Sequence, residues 1–146
     1  FSSGAQGPAA WVEEGQVRWV QRMSTVLALP ELTPATWSCD VLQWPWVELV
    51  ISTAAARPAA VDALVTAGVQ GLVVVGTGNG SIHQALLQAL HRAMLQGVPV
   101  WRTTRCEQGQ IVLAEGEQDA AVSPLSPVKA RISLMLALLQ KSMDQP

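Results

Sequence analysis

The chain has 146 residues, 49% of them hydrophobic and 14% charged, a balance that favours one well-filled core and excludes a disordered polypeptide. Its net charge of -2 provides no electrostatic footprint for nucleic acid or for an anionic membrane surface. No apolar run reaches the roughly 18 residues that a transmembrane helix needs.

The first third of the chain contains little regular periodicity. Residues 11–20 have the pattern of two short strands that turn at Glu14 and Gly15. An isolated hairpin is only marginally stable, so we expect this one to pack on another element. Residues 23–45 carry prolines, threonines and tryptophans without periodicity, which indicates an extended connector lying on a surface.

From Val47 onward, strands and helices alternate. Strands are predicted over residues 47–51, over 69–75 and from 98 to 101. Helices are predicted between Pro58 and Gly68, from about 81 to 96, and from Ser126 onward, the last with enough apolar residues to pack on most sides. This order predicts a three-layer α/β/α domain with a mostly parallel sheet, preceded by a β-hairpin and an extended linker.

Residues 71–81 (Gly-Leu-Val-Val-Val-Gly-Thr-Gly-Asn-Gly-Ser) are the most informative segment. The uninterrupted valines predict a strand that is covered on both faces. Gly76, Gly78 and Gly80 allow a sharp bend and a close approach to a ligand or to another chain. Open α/β sheets place their sites in loops at the carboxyl ends of such strands, so this glycine-rich loop is the predicted functional site.

A nucleotide site is one alternative for this loop. The pattern Gly76-x-Gly78-x-x-Ser81 lacks the third glycine of a dinucleotide fingerprint, and no acidic residue follows the next strand. The Gly-Lys-Ser/Thr ending of a P-loop is also missing. The purely structural alternative is a tight strand-to-helix turn that is capped by Asn79 or Ser81.

Other reactive side chains do not form a complete catalytic set. Cys106 has no histidine near it in sequence, and His83 and His91 are interpreted as solvated or packed residues of the same helix. Thr103 and Thr104 end a strand, where local capping or turn hydrogen bonds account for them. The cysteines and histidines lack zinc-site spacing, so we expect no metal and no cofactor.

Four motifs in the same order resemble the C-terminal domain of bacterial L-asparaginases, the threonine amidohydrolases. They are Val-Glu-Leu-Val at 47–50, the segment Thr-Ala-Gly through Gly-Thr-Gly-Asn-Gly-Ser at 66–81, Thr-Thr-Arg at 103–105 and Pro-Val-Lys-Ala-Arg at 127–131. The resemblance spans nearly the whole chain. It implies a β-hairpin remnant of an N-terminal domain at 1–23, an interdomain linker at 24–45 and an asparaginase-like α/β domain at 46–146.

The resemblance also implies a reaction and a division of labour. The family hydrolyses asparagine, or glutamine, to the acid and ammonia through a threonine acyl-enzyme. Its nucleophile and the other catalytic residues lie in the N-terminal domain, so no catalytic residue is expected in this chain. The C-terminal domain of one subunit closes the site of its neighbour, which implies a homodimer or homotetramer without nucleic-acid or membrane partners.

Three substrate-binding residues follow from the resemblance. The asparagine that ends the family's loop reaches the α-amino and carboxylate end of the substrate, and Ser81 stands at this position. Its shorter hydroxyl implies a weaker or a water-bridged contact. Asn79 matches the preceding asparagine, and Glu115 is the nearest candidate for a family glutamate that faces the substrate of the neighbouring subunit.

A non-catalytic α/β module for ligand binding or subunit assembly is the alternative function, and a nucleotide-binding domain ranks last. Short loops and free thiols favour a cytoplasmic location, and a periplasmic location is the alternative.

Overall fold

The computed structural model describes residues 7–20, 40, 43–106, 110–113 and 120–143. Two strands form a separate antiparallel hairpin, β1 (Ala10–Glu13) and β2 (Gln16–Trp19). Four strands form the main sheet, β3 (Val47–Ile51), β4 (Gly71–Gly76), β5 (Val100–Thr104) and β6 (Ala121–Val122). Within these described residues, three helices accompany it, α1 (Ala59–Thr66), α2 (Gln84–Leu95) and α3 (Pro127–Met143).

The main sheet has the strand order β3-β4-β5-β6, and every neighbouring pair is parallel. The predicted α/β architecture and the preceding hairpin are therefore confirmed. Central strand β4 is buried along its full length, as its run of valines indicated. None of the helices in the described segments combines the length and the apolar character that crossing a bilayer requires.

The core lies on both faces of the sheet, because neighbouring residues of β4 point in opposite directions. Leu72 and Val74 belong to a cluster with residues of α1 and α2, including Val61 and Leu90. Val73 belongs to a second cluster, which includes Leu134 of α3. Helices thus cover the sheet on its two sides, and β4 is held between them.

Glycines end α1 and α2 with the same hydrogen-bond pattern. Gly68 has φ +89° and donates its N–H to Val65 O, while the N–H of Val69 bonds Leu64 O. Gly97 repeats this arrangement after α2, with φ +86°. Only a residue without a Cβ adopts this left-handed conformation at no steric cost, so Gly68 ends α1 as predicted.

The hairpin turns at Glu14 and Gly15, which both have positive φ angles, as a tight two-residue turn requires. The guanidinium of Arg18 donates two hydrogen bonds to Glu13 and holds the pKa of that carboxyl below its usual value. Val12 pairs with Val17 on the opposite face of the hairpin, and these side chains are 74% and 55% exposed. The expectation that the hairpin packs on another element stays a prediction.

Several predicted boundaries differ from the observed ones. Helix α2 begins at Gln84 instead of about residue 81, because Ser81 is paired with Thr77 through its main chain. Strand β6 was missed, since two residues carry no periodicity. Helix α3 is less enclosed than predicted, and Ile132 is 41% exposed. Of the predicted linker, only residues 40 and 43–45 are among those described.

Replacing Leu72 tests the position of β4 between the two helical layers. Leu72→Ala removes a side chain that is 0% exposed, and we expect the free energy of unfolding to fall by about 2–5 kcal/mol. Leu95→Ala in α2 is the matched control, because that leucine is 88% exposed and should change stability by less than about 0.5 kcal/mol. Urea denaturation measures both, and equal losses would contradict the assigned core.

Candidate functional site

The carboxyl ends of the parallel strands meet at one edge of the main sheet. In the strand register Val75 lies between Ile51 and Thr103, and Gly76 lies beside Thr104. The glycine-rich loop that follows β4 therefore emerges between the ends of β3 and β5. This is the edge at which open α/β sheets bind ligands.

The loop doubles back on itself immediately after the strand. Thr77 and Ser81 exchange two main-chain hydrogen bonds, of 3.0 and 2.8 Å. A Cβ on Gly76 would lie 2.4 Å from the carbonyl carbon of Gly80. Because the atoms it would meet belong to the backbone and cannot rotate aside, this approach requires glycine at position 76.

Side chains of β5 hold the loop carbonyls in place. The hydroxyl of Thr104 donates to Gly78 O at 2.7 Å. Arg102 donates from Nε to Gly80 O at 2.8 Å and from Nη2 to Asn79 O at 3.4 Å. Three consecutive carbonyls are therefore bonded to the neighbouring strand, which fixes the path of the loop.

On its other side, the loop contacts the segment 110–113. The carboxamide of Asn79 donates from Nδ2 to Val112 O at 2.8 Å and accepts from Val112 N–H at Oδ1 at 2.7 Å. Ile111 lies over Gly80, where a Cβ would come within 2.5 Å of its Cδ1. Gly80 has φ +77°, so its conformation and its surroundings both favour glycine.

The exit of the loop is held by the end of β3. Ser52 is 3% exposed, and its Oγ accepts a hydrogen bond from the N–H of His83 at 2.8 Å. His83 is the N-cap of α2, where its Nδ1 accepts from the N–H of Ala85 at 3.3 Å. The predicted capping by Asn79 or Ser81 is therefore wrong, and His83 has this role.

Of the predicted substrate-binding residues, the structure describes Ser81 and Asn79, and their side chains differ in their hydrogen bonding. Ser81 is exposed, and its hydroxyl has no hydrogen-bond partner within the described residues. Asn79 is also exposed, but its carboxamide is bonded at both ends to Val112. Glu115 lies outside the described residues. Their contacts with a substrate stay predictions.

Other candidates from the sequence are also located. The hydroxyl of Thr103 bonds the distant carbonyl of Leu125 instead of a local partner. Thr104 makes the predicted local bond, because its Oγ1 accepts from the N–H of Cys106 at 3.2 Å, and it also donates to the distant carbonyl of Gly78. Cys106 is exposed and donates its N–H to Thr104 Oγ1, and Cys39 lies outside the described residues. No group of three or more metal-ligating side chains occurs in the part of the chain that the structure describes.

Sequence reasoning missed the residues that shape this site. Arg102 and Ile111 are separated from the loop by more than twenty residues, and no local pattern marks their contacts with Gly80. Beside the loop, the same edge carries a cleft of about 90 Å³. It is lined by Thr103 to Cys106, Gln110, Ile111 and residues 123–127. Of these residues, Arg105 adds positive charge to the cleft, which suits the carboxylate of a small ligand.

The comparison with protein families identifies one domain. The model of the Glutaminase/Asparaginase C-terminal domain matches residues 46–145. L-asparaginase 2 of Escherichia coli (strain K12) is 32% identical over 145 residues, which cover 96% of this chain and 41% of that protein. L-asparaginase 2 of Bacillus subtilis (strain 168) is 40% identical over 87 residues, which cover 58% of this chain and 23% of that protein.

A solved structure shows the same arrangement of elements. The probable cytoplasmic L-asparaginase from Campylobacter jejuni superposes with a TM-score of 0.77 at 27% sequence identity. The match covers 94% of this chain and 42% of that one. This chain therefore spans less than half the length of the relatives that it matches.

Substituting the two threonines of β5 one at a time tests which of them holds the glycine-rich loop. Thr104→Val leaves Gly78 O without its partner, and Thr103→Val does the same to Leu125 O, so each should lower the free energy of unfolding by about 1–3 kcal/mol. Amide chemical shifts of residues 77–81 should change in Thr104→Val and remain in place in Thr103→Val. Equal changes in both variants would contradict the anchoring role of Thr104.

Proposed function

This chain belongs to the Glutaminase/Asparaginase C-terminal domain family, and we propose that it supplies the substrate-closing half of an amidohydrolase site. The substrate is L-asparagine or L-glutamine, whose side-chain amide is hydrolysed to the acid and ammonia. The nucleophilic threonine belongs to the N-terminal domain, as the resemblance implies. The family membership does not favour the alternative of a non-catalytic module.

The observation that carries this proposal is the state of Ser81. It ends a loop whose main chain is held by β5 and by the segment 110–113, while its own hydroxyl has no partner within the described residues. A hydroxyl can both donate and accept a hydrogen bond, so it can bind the α-carboxylate or the α-amino group of an amino acid. The loop therefore offers a fixed polar tip to a ligand.

Charge at the same edge supports an amino-acid ligand. Arg102 lies under the loop and Arg105 follows β5, so a carboxylate near Ser81 approaches positive charge. Glu115 is proposed to contact the α-amino group from the following loop. Hydrogen bonds between oppositely charged groups are stronger than those between neutral ones. The contact between the Glu115 carboxylate and the α-amino group of the ligand would therefore orient the ligand.

The proposed site is completed between subunits. In a homodimer or homotetramer, the glycine-rich loop of one subunit meets a ligand that is held by the catalytic domain of another. Each chain then carries only part of the binding energy. We therefore propose that the isolated chain binds L-aspartate with a Kd of about 1 mM or weaker, which corresponds to about 4 kcal/mol.

Nuclear magnetic resonance titration of the uniformly labelled chain with L-aspartate tests this proposal directly. Amide signals of Gly78, Gly80 and Ser81 should move as the ligand is added, and D-aspartate serves as the stereochemical control. Inorganic pyrophosphate is the control for a nucleotide site. Movement of the loop signals with pyrophosphate but not with L-aspartate would overturn the proposal.

Substitutions of Ser81 should change this affinity in opposite directions. Ser81→Asn introduces a longer side chain with additional donors, and should tighten L-aspartate binding about two- to tenfold, the value of one hydrogen bond. Ser81→Ala should weaken it by a similar factor. Ser142→Asn, near the opposite end of the sheet, is the matched control and should leave the affinity unchanged. Equal affinities for all variants would exclude Ser81 as a contact.

Another measurement tests the assignment of the nucleophilic threonine to the N-terminal domain. The purified 146-residue chain, incubated alone with L-asparagine or L-glutamine, should release no ammonia above the rate in buffer. Coupled detection of ammonia with glutamate dehydrogenase provides the measurement. Sustained release that scales with the concentration of this chain would show that it contains its own catalytic residues.

A further inference from the structure

We propose that Asn79 is a positioning residue, which sets the direction of Ser81 by joining the glycine-rich loop to the segment 110–113. This inference rests on the proposed function, because it assigns the ligand contact to Ser81 and a supporting role to Asn79. It differs from the family resemblance, which implied a substrate contact for both residues.

The first argument is the geometry of the carboxamide. Asn79 Nδ2 lies 2.8 Å from Val112 O, and Asn79 Oδ1 lies 2.7 Å from Val112 N. Both distances are short for hydrogen bonds between neutral groups. The Oδ1 and Nδ2 atoms belong to one rigid carboxamide group. Rotating this group so that either atom faces a ligand would therefore break the hydrogen bonds with Val112. We call this paired contact the Asn79–Val112 junction.

The second argument is the choice of side chain. The main chain of Val112 presents one donor and one acceptor, and a carboxamide is the short group that offers both in return. An aspartate would place an oxygen against Val112 O, and a serine has one oxygen for two partners. Asparagine at position 79 therefore fits the junction in a way that these alternatives do not.

The third argument is the path from the junction to Ser81. The junction holds the segment in which Ile111 covers Gly80, and Gly80 immediately precedes Ser81. Arg102 bonds the carbonyls of both Asn79 and Gly80 from the opposite side. With the main chain held on two sides, the backbone angles at Gly80 are restrained, and these angles set the direction of the Cα–Cβ bond of Ser81.

One spectroscopic measurement requires no substitution. Asn79 is the only asparagine in the sequence, so asparagine-selective labelling produces a single side-chain amide pair. We expect a scalar coupling across the hydrogen bond between Asn79 Nδ2 and the carbonyl carbon of Val112, and slow exchange of one of the two protons. Two rapidly exchanging protons without this coupling would overturn the junction.

Asn79→Ala tests the consequence for the loop in the full chain without any ligand. Exchange of the Val112 N–H should accelerate about tenfold, because its acceptor is lost. The amide and Cβ shifts of Ser81 should move as well. Ser81→Ala is the matched control, and should leave Val112 exchange unchanged. Unaltered Ser81 signals in Asn79→Ala would show that the junction does not position that residue.

Titration of the labelled wild-type chain with L-aspartate separates positioning from contact. If Asn79 acts only by positioning Ser81, the amide signal of Ser81 shifts on titration, and the scalar coupling between Asn79 and Val112 persists at saturation. Loss of that coupling on binding would make Asn79 a ligand contact and overturn the inference. If no loop signal moves, the proposed function fails, and the ligand-free measurements still decide whether Asn79 orients Ser81.

Discussion

The close approach of Gly76 and Gly80 is the constraint on which this site depends. A single methyl group on Gly76 would come within 2.4 Å of the returning backbone at Gly80, so the loop closes only because position 76 lacks a side chain. Closure brings Ser81 opposite Thr77 and turns three carbonyls toward β5. The junction with Val112 and the contact with Ile111 are made by residues of this returning segment.

The position of the loop follows from a parallel sheet that is covered on both faces. Because β4 lies between β3 and β5 in register, the segment leaving its carboxyl end has supporting side chains on either side. Arg102 and Thr104 of β5 use this position to hold main-chain oxygens. The proposed sharing of this site between subunits would benefit from such support, since a partner surface would meet one defined shape.

Much of the fold could be predicted from the sequence, because it depends on local patterns. The valines of β4 indicated a strand buried on both faces, and Gly68 marked the end of α1. The start of α2 was misplaced because the pairing of Ser81 with Thr77 competes with helix formation. The contact between Asn79 and Val112 spans 33 residues, and a sequence pattern contains no signal for a pairing at that separation.

The hydrogen bonds around the loop have one more consequence, which concerns when its conformational entropy is lost. A free loop loses this entropy when it binds, and the affinity falls accordingly. Here hydrogen bonds within the folded domain already order residues 78–80, so their conformational entropy is lost when the domain folds and not when a ligand binds. A ligand that bound at Ser81, as proposed, would meet a preorganised surface, and its affinity would reflect new contacts with little cost of immobilising the loop.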